Sequence, residues 1–370
     1  MRSAAAMPLI IVLLVALYSI ASPNVSSSRR RITPKGYAMR YWTKHISNDL
    51  PPPEFLFNKA SPLSAAFSKL ADQSWISSHL PEFCSKANLL CFPDKANYAT
   101  EDRVRRDHIG NKYYATEDRV RRDRIGNKYY ATEENVVASS GKKVNKWVVE
   151  PGRFFRESVL KAGAIMPMPD IRDKMPKRSF LPRLIVSKLP FSTSKLADLR
   201  RVFHAVDDSG SMAKMLTDSL EECERAPSPG EAKRCVASIE DMIDFATSVL
   251  GPNVAALTTE SARGYNGEIR IGKVKAVNGG RLTKSVTCHQ SLFPYMLYYC
   301  HSVPKVRVYE ADILDPKSES RINRGVAICH VDTSSWSPGH EAFVSLGSGP
   351  GKIAVCHWVY ENGLTWAIAD

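Results

Sequence analysis

Four histidines in the second half of the chain each follow a cysteine directly, and this repeated dipeptide is the feature most suited to chemistry. The four pairs are separated by 10, 27 and 25 residues, and Trp366 follows the last of them after eight more. The pairs are Cys288-His289, Cys300-His301, Cys329-His330 and Cys356-His357. Because neighbouring side chains of a β-strand point to opposite faces, each pair on a strand sends its sulfur one way and its imidazole the other.

If the four strands are neighbours, the sulfurs can pair on one side while the imidazoles gather on the other. Clustered neutral imidazoles without thiolate form a site for copper or zinc. We therefore predict a metal site at the four histidines: His289, His301, His330 and His357. A lone histidine is more often an ordinary core or surface residue, but four in one dipeptide context argue against that. A structural Cys2His2 zinc site requires ligand spacings that are absent here.

The start of the chain indicates the cellular compartment of the protein, and the compartment in turn indicates whether the cysteines are oxidised to disulfides. Residues 7–20 are mostly apolar, follow Arg2 and precede small residues, which is the pattern of a cleaved secretory signal peptide over residues 1–22. We expect a secreted protein with no membrane segment after cleavage. Asn24 begins a glycosylation sequon. In an oxidising route an even number of cysteines favours disulfides.

All eight cysteines are predicted to be in disulfides. Cys84 and Cys91 are close enough to close a small loop, and Cys223 with Cys235 is expected to pin a helical hairpin. The sequence leaves the pairing of the remaining four open: Cys288, Cys300, Cys329 and Cys356.

Composition limits the class of partner. The 370 residues are 44% hydrophobic, as in a globular protein, and carry a formal net charge of +13. Nucleic acid is the wrong partner outside the cell, and no nucleic-acid-binding motif is present. An anionic matrix such as pectin fits the charge through its summed field, although solubility alone would also account for it.

The chain divides into five segments by composition. After the signal peptide, residues 23–97 form an N-terminal module that we expect to be weakly structured, with a short helix over 64–70. Residues 98–137 hold a sixteen-residue repeat, two full copies and part of a third, whose mixed charges and scarce apolar residues predict flexibility. Residues 138–153 are a linker. Residues 154–370 have the composition of a folded domain.

Hydrophobic periodicity predicts an α+β fold for that domain, with a helical hairpin followed by a mostly antiparallel β-sheet. One helix is expected from Ser194 to His204. Ser228 and Glu231 form a capping box that predicts a longer helix, carrying Cys235 and ending at Gly251. Strands are predicted over 268–277, 303–309, 326–331 and 353–360, the first with a bulge at Gly272.

The full pattern resembles a known family. Phe154-Phe155 followed by CH-x10-CH-x27-CH-x25-CH-x8-W is similar to the BURP domain of plant secreted proteins, and the resemblance covers residues 154–370. In the N-terminal module, Lys35-Gly-Tyr37 and residues 58–62 resemble the non-catalytic beta subunit of polygalacturonase. That subfamily carries Phe-x-x-Tyr repeats. Here the tyrosines remain, but Lys95, Asn111 and Asn127 replace the phenylalanines.

The resemblance implies two functions. The first is a protein of the cell wall, or apoplast, that binds polygalacturonase and pectin and modulates pectin breakdown without catalysing it. The alternative is a copper-dependent autocatalytic peptide cyclase, as some BURP proteins are. Copper at the four histidines would then make them its catalytic residues, and its own repeat region would be the substrate. Oxidised tyrosines would then form cross-links within the repeats, and the candidate substrates are Tyr113, Tyr114, Tyr129 and Tyr130.

Overall fold

A computed structural model describes residues 33–91, 134–137, 143–146, 149–207, 210–261 and 264–369. The predicted signal peptide, Asn24 and the four repeat tyrosines lie outside the described residues, as does most of the repeat segment. Within the described ranges, no helix is long and apolar enough to cross a membrane.

The helices fall into an N-terminal group and a group within the second half of the chain. The N-terminal helices are α1 (Pro34–His45), α2 (Glu54–Asn58), α3 (Ala65–Leu70), α4 (Gln73–Ser78) and α5 (Leu80–Ala87). The later ones are α6 (Arg183–Val186), α7 (Leu196–Val202), α8 (Ser211–Glu224), α9 (Ile239–Leu250) and α10 (Glu341–Leu346).

The N-terminal module is helical, so the expectation of weak structure is wrong, although the predicted helix over 64–70 is confirmed as α3. Side-chain oxygens of Thr33, Ser64 and Asp72 cap α1, α3 and α4 by accepting bonds from backbone amides. Short helices are marginal alone. These are stabilised by packing, since Trp42 of α1 is buried in the same cluster as Trp366.

The strands form three antiparallel sheets. A two-stranded sheet pairs β1 (Glu134–Val137) with β2 (Lys143–Lys146). The others are β3 (Phe154–Phe155), β4 (Ile165–Met168), β5 (Ala232–Val236), β6 (Val254–Leu257), β7 (Glu260–Ser261), β8 (Gly267–Ala276), β9 (Ser285–Ser291), β10 (Leu297–Ser302), β11 (Val306–Leu314), β12 (Arg321–His330), β13 (Val355–Val359) and β14 (Leu364–Ile368).

Two larger sheets carry the Cys-His pairs. A five-stranded sheet has the order β5-β10-β9-β14-β6, and a seven-stranded sheet has the order β3-β13-β12-β11-β8-β4, with β7 paired to β12. The predicted bulge is present: Val274 pairs with Ala311 and Ile271 with Ile313, so two residues of β8 oppose Asp312. The α+β class with a mostly antiparallel sheet is confirmed.

The helix predicted from the Ser228 capping box begins later than expected. Residues 232–236 form the edge strand β5, and α9 begins after Ser238, whose hydroxyl accepts a bond from the Asp241 amide. Ser228 and Glu231 instead close a turn. The Cys223–Cys235 disulfide is confirmed, but it joins a helix to a strand rather than two helices.

The two large sheets pack face to face. One apolar cluster joins Val306, Ile328 and Val359 of the seven-stranded sheet to Ala367 of the five-stranded sheet. The outer face of the five-stranded sheet is covered by α1 and α9. The space between the sheets is therefore where inward-facing side chains of both must meet.

Candidate metal centre

The cysteines of the four Cys-His pairs form two cross-strand disulfides. Cys288 lies opposite Cys300 on β9 and β10, and Cys329 lies opposite Cys356 on β12 and β13. All four are fully buried. With Cys84–Cys91 and Cys223–Cys235 they complete four disulfides, so the predicted disulfide state of all eight cysteines is confirmed. Such a set belongs in an oxidising compartment.

The sulfurs and the imidazoles occupy opposite faces of each sheet, as strand alternation requires. Cys288 and Cys300 pack in the cluster beneath α1 and α9, and Cys329 and Cys356 pack on the outer face of the seven-stranded sheet. The imidazoles therefore face the space between the sheets. Each histidine keeps only 3–4% of its surface exposed.

The structure brings all four predicted histidines together, two from each sheet. The ring centroids of His289 and His301 are 5.4 Å apart, and those of His330 and His357 are 5.5 Å apart and stacked. The ring of His289 lies 6.3 Å from that of His357, which connects the two pairs across the sheets. The Nε2 atoms of His330 and His357 are 3.4 Å apart.

Burial controls the charge of these rings. Desolvation, reinforced by the neighbouring histidines, lowers the pKa of His289 and of His330 well below the usual value. Desolvation also lowers the pKa of His357, to about 4. These three imidazoles are neutral near pH 7, which is the form that binds metals.

Hydrogen bonds at Nδ1 orient the rings of His357 and His301. Nδ1 of His357 donates to the carbonyl oxygen of Trp358 at 3.1 Å, so its Nε2 carries the lone pair and points at His330. Nδ1 of His301 lies 3.1 Å from Oε1 of Glu231. A buried carbonyl or carboxylate behind the ring is the arrangement by which proteins hold metal-ligating histidines.

Glu231 belongs to the site, although its spacing from Ser228 predicts only a helix-capping role. Its side chain is 1% exposed and is surrounded by donors, including the Tyr299 hydroxyl at 2.8 Å and the Arg225 guanidinium at 3.2 Å. Burial alone would raise the pKa of Glu231, but the contacts with His301, the Ser228 amide and Arg225 hold that pKa well below its usual range. Nothing local in the sequence links this residue to a histidine 70 positions later.

The chemistry and the spacing of these nitrogen donors decide whether they suit a metal ion. Imidazole nitrogens alone, with thiolates removed by disulfides, suit copper or zinc. The 3.4 Å between the Nε2 atoms of His330 and His357 allows both to bind one ion. Among the described residues, no group of three or more His, Cys, Asp or Glu side chains is already arranged to hold a metal. Metal binding at the four histidines therefore stays a prediction.

A polar cavity of about 200 Å³ leads toward the cluster. Glu231, which contacts His301, and His330 both line this cavity. Trp336 also lines it and packs against His330, with ring centroids 5.2 Å apart. The other lining residues are Ser228, Pro229, Val303, Pro304, Asp332, Ser334 and Ser335. The cavity has the size of a small molecule or one side chain.

The fold and the paired Cys-His strands define a BURP domain. The sequence model of the BURP-domain family matches residues 153–368 of this chain, so the chain belongs to that family. The resemblance seen in the Cys-His spacing is thus confirmed.

Three relatives show which members of the BURP-domain family this chain is similar to. The chain is 72% identical over 232 residues to the polygalacturonase-1 non-catalytic subunit beta of Solanum lycopersicum, and 66% identical over 230 residues to the polygalacturonase 1 beta-like protein 3 of Arabidopsis thaliana. These matches cover 63% and 62% of this chain but only 37% and 36% of those proteins. BURP domain-containing protein 16 of Oryza sativa subsp. japonica is 39% identical, over 98% of this chain and 97% of its own.

Proposed function

We propose that this chain is a secreted, non-catalytic partner of polygalacturonase that acts in the plant cell wall and modulates pectin breakdown. The observation that carries the proposal is the 72% identity with a polygalacturonase non-catalytic subunit over 232 residues. The chain spans little more than a third of the length of that relative. The function is therefore assigned to the part that the two share.

Burial argues that such binding uses the outer surface of the domain. Pectin is a polymer and polygalacturonase is a protein, and neither can reach imidazoles that are 3–4% exposed. The cavity of about 200 Å³ is too small for either. The net charge of +13 attracts a polyanion through its summed field, and four disulfides suit a protein that works outside the cell.

The mature protein is expected to be retained on immobilised polygalacturonate at low salt and released as salt rises. The physical reason is screening, because the Debye length falls from about 10 Å at 0.1 M to about 3 Å at 1 M ionic strength. The measurement is the elution salt concentration, with uncharged agarose and fully methyl-esterified pectin as matched columns. Polygalacturonase activity is assayed with and without the protein. Absence of both salt-sensitive retention and any effect on polygalacturonase would remove the proposal.

A second candidate function is supported by one specific observation, the meeting of four buried imidazoles between the sheets. As a copper-dependent peptide cyclase, the chain would hold copper with these histidines, and bound copper would supply one-electron oxidation chemistry. Each cross-link removes two hydrogens from a repeat tyrosine and its partner residue, and dioxygen accepts the two electrons and two protons. The protein's own part is to bind the ion, exclude bulk water and admit one side chain through the cavity.

The copper hypothesis predicts a mass change in the protein's own repeats. After incubation with Cu(II) under air and digestion, a peptide from residues 98–137 should weigh two hydrogens less than calculated. His289→Ala should abolish the change, whereas His79→Ala, at an exposed position beyond α4, should leave it. If the wild-type repeat peptides keep their calculated mass and the His289→Ala variant gives the same result, the cyclase function is excluded for these repeats.

A further inference from the structure

We propose that Glu231 is the positioning residue of the histidine cluster: it fixes His301 with the proton on Nδ1, so that Nε2 is the nitrogen available to a metal ion. The inference rests on the second candidate function for its metal-binding consequence. The proton position itself is a property of the metal-free protein.

The donors around Glu231 show that it can only accept. The backbone amide of Ser228 donates to Oε2 at 2.7 Å, the Tyr299 hydroxyl donates to Oε1 at 2.8 Å, and the Arg225 guanidinium lies 3.2 Å from both oxygens. A buried carboxylate beside a guanidinium and two further donors is ionised and carries no proton to give. The 3.1 Å contact with His301 therefore requires that Nδ1 of the imidazole be the donor.

The position of Glu231 is fixed by the chain on both sides. Glu231 closes a turn in which its own amide donates to the Ser228 carbonyl oxygen at 2.9 Å. Directly after it, β5 pairs with β10, and Lys233 lies opposite His301 in the register. The Cys223–Cys235 disulfide ties β5 to α8. The carboxylate is thus held against the ring by covalent and backbone constraints.

The consequence is an orientation shared by histidines of both sheets. His357 is held through Nδ1 by the Trp358 carbonyl oxygen, and His301 through Nδ1 by Glu231. Both rings are left with Nε2 as the ligating nitrogen. A carboxylate behind a ligating imidazole also raises its basicity, and removing such a partner costs about 10–100-fold in metal affinity.

A purely structural role is the competing explanation, since Glu231 also pairs with Arg225. Glu222 provides the matched control. It is a buried glutamate whose carboxylate lies 3.9 Å from the same guanidinium. A defect caused by an uncompensated Arg225 should appear in both variants, whereas a defect caused by loss of the His301 contact should appear only at Glu231.

The test combines two measurements on the full mature chain. Long-range ¹⁵N–¹H correlation spectra of ¹⁵N-histidine-labelled, metal-free protein report which nitrogen of His301 is protonated, and a Cu(II) titration gives the dissociation constant. In Glu231→Ala we expect the Nε2–H form of His301 to gain population and the Kd to rise about 10–100-fold. Glu231→Gln keeps an acceptor oxygen and should rescue most of both effects, and Glu222→Ala should resemble the wild type.

Several results would overturn the inference. A wild-type spectrum with His301 protonated only on Nε2 would do so without any variant, so misfolding of Glu231→Ala does not leave the question open. Equal effects of Glu231→Ala and Glu222→Ala would assign Glu231 a structural role only. If the wild type binds no Cu(II), the copper function fails, but the proton position of His301 still decides the role of Glu231.

Discussion

Replacing Cys329 and Cys356 together with alanine is expected to lower the free energy of unfolding by about 3.6 kcal/mol from chain entropy alone, for a loop of 27 residues. The loss should be larger in practice, because both side chains are fully buried between β12 and β13 and their removal leaves a cavity. The measurement is urea denaturation followed by tryptophan fluorescence, with the midpoint and the slope fitted separately.

The matched control is the double alanine variant of Cys84 and Cys91. That bridge closes only 7 residues, so the same relation gives about 2.4 kcal/mol. It also lies away from the histidines, in the N-terminal helical module. Loss of the Cys329–Cys356 bridge should in addition loosen the spacing of His330 and His357, because the four residues share two paired strands. Equal destabilisation by the two double variants would contradict this account.

The histidine cluster could be predicted because the alternation of side chains along a strand holds in any sheet. A Cys-His dipeptide on a strand sends its two side chains to opposite faces whatever surrounds it. The sequence therefore placed sulfur and imidazole correctly without knowing the strand order. Which cysteines pair depends on that order, since Cys288 meets Cys300 only because β9 and β10 are neighbours. The sequence left this open for that reason.

Glu231 could not be predicted because competing local signals hid it. Ser228 to Glu231 has the spacing of a capping box, and Ser238 to Asp241 offers a second helix start ten residues later. The structure uses the second, because residues 232–236 pair with β10 as the edge strand β5. The partner of Glu231 is then set by tertiary structure, which no local pattern encodes.

Two short N-terminal helices, α2 and α4, could not be predicted for a related reason. They contain only five and six residues. Such helices are unstable alone, so their sequences carry little periodic signal. They become stable when apolar residues such as Leu56 and Ile76 are buried against the rest of the protein.

Trp366→Ala is expected to cost about 3–5 kcal/mol in the free energy of unfolding, the range for deleting a fully buried tryptophan. Trp366 has no exposed surface and lies on β14, beneath α9. Its ring centroid is 5.3 Å from that of Trp42 on α1. The residue that ends the Cys-His pattern is therefore also one of the contacts through which the N-terminal module joins the sheet domain.

A double-mutant cycle tests that contact directly. Trp42→Ala should destabilise the protein by a similar amount, and the double variant should fall short of the sum by about 0.5–1.5 kcal/mol, the usual coupling of an aromatic pair. Leu70→Ala, at a side chain 73% exposed on α3, is the matched control and should change the stability by less than about 0.5 kcal/mol. If Trp42→Ala unfolds like the wild type, α1 does not stabilise the domain. A coupling near zero would instead mean that the two rings contribute independently, each through its own part of the core.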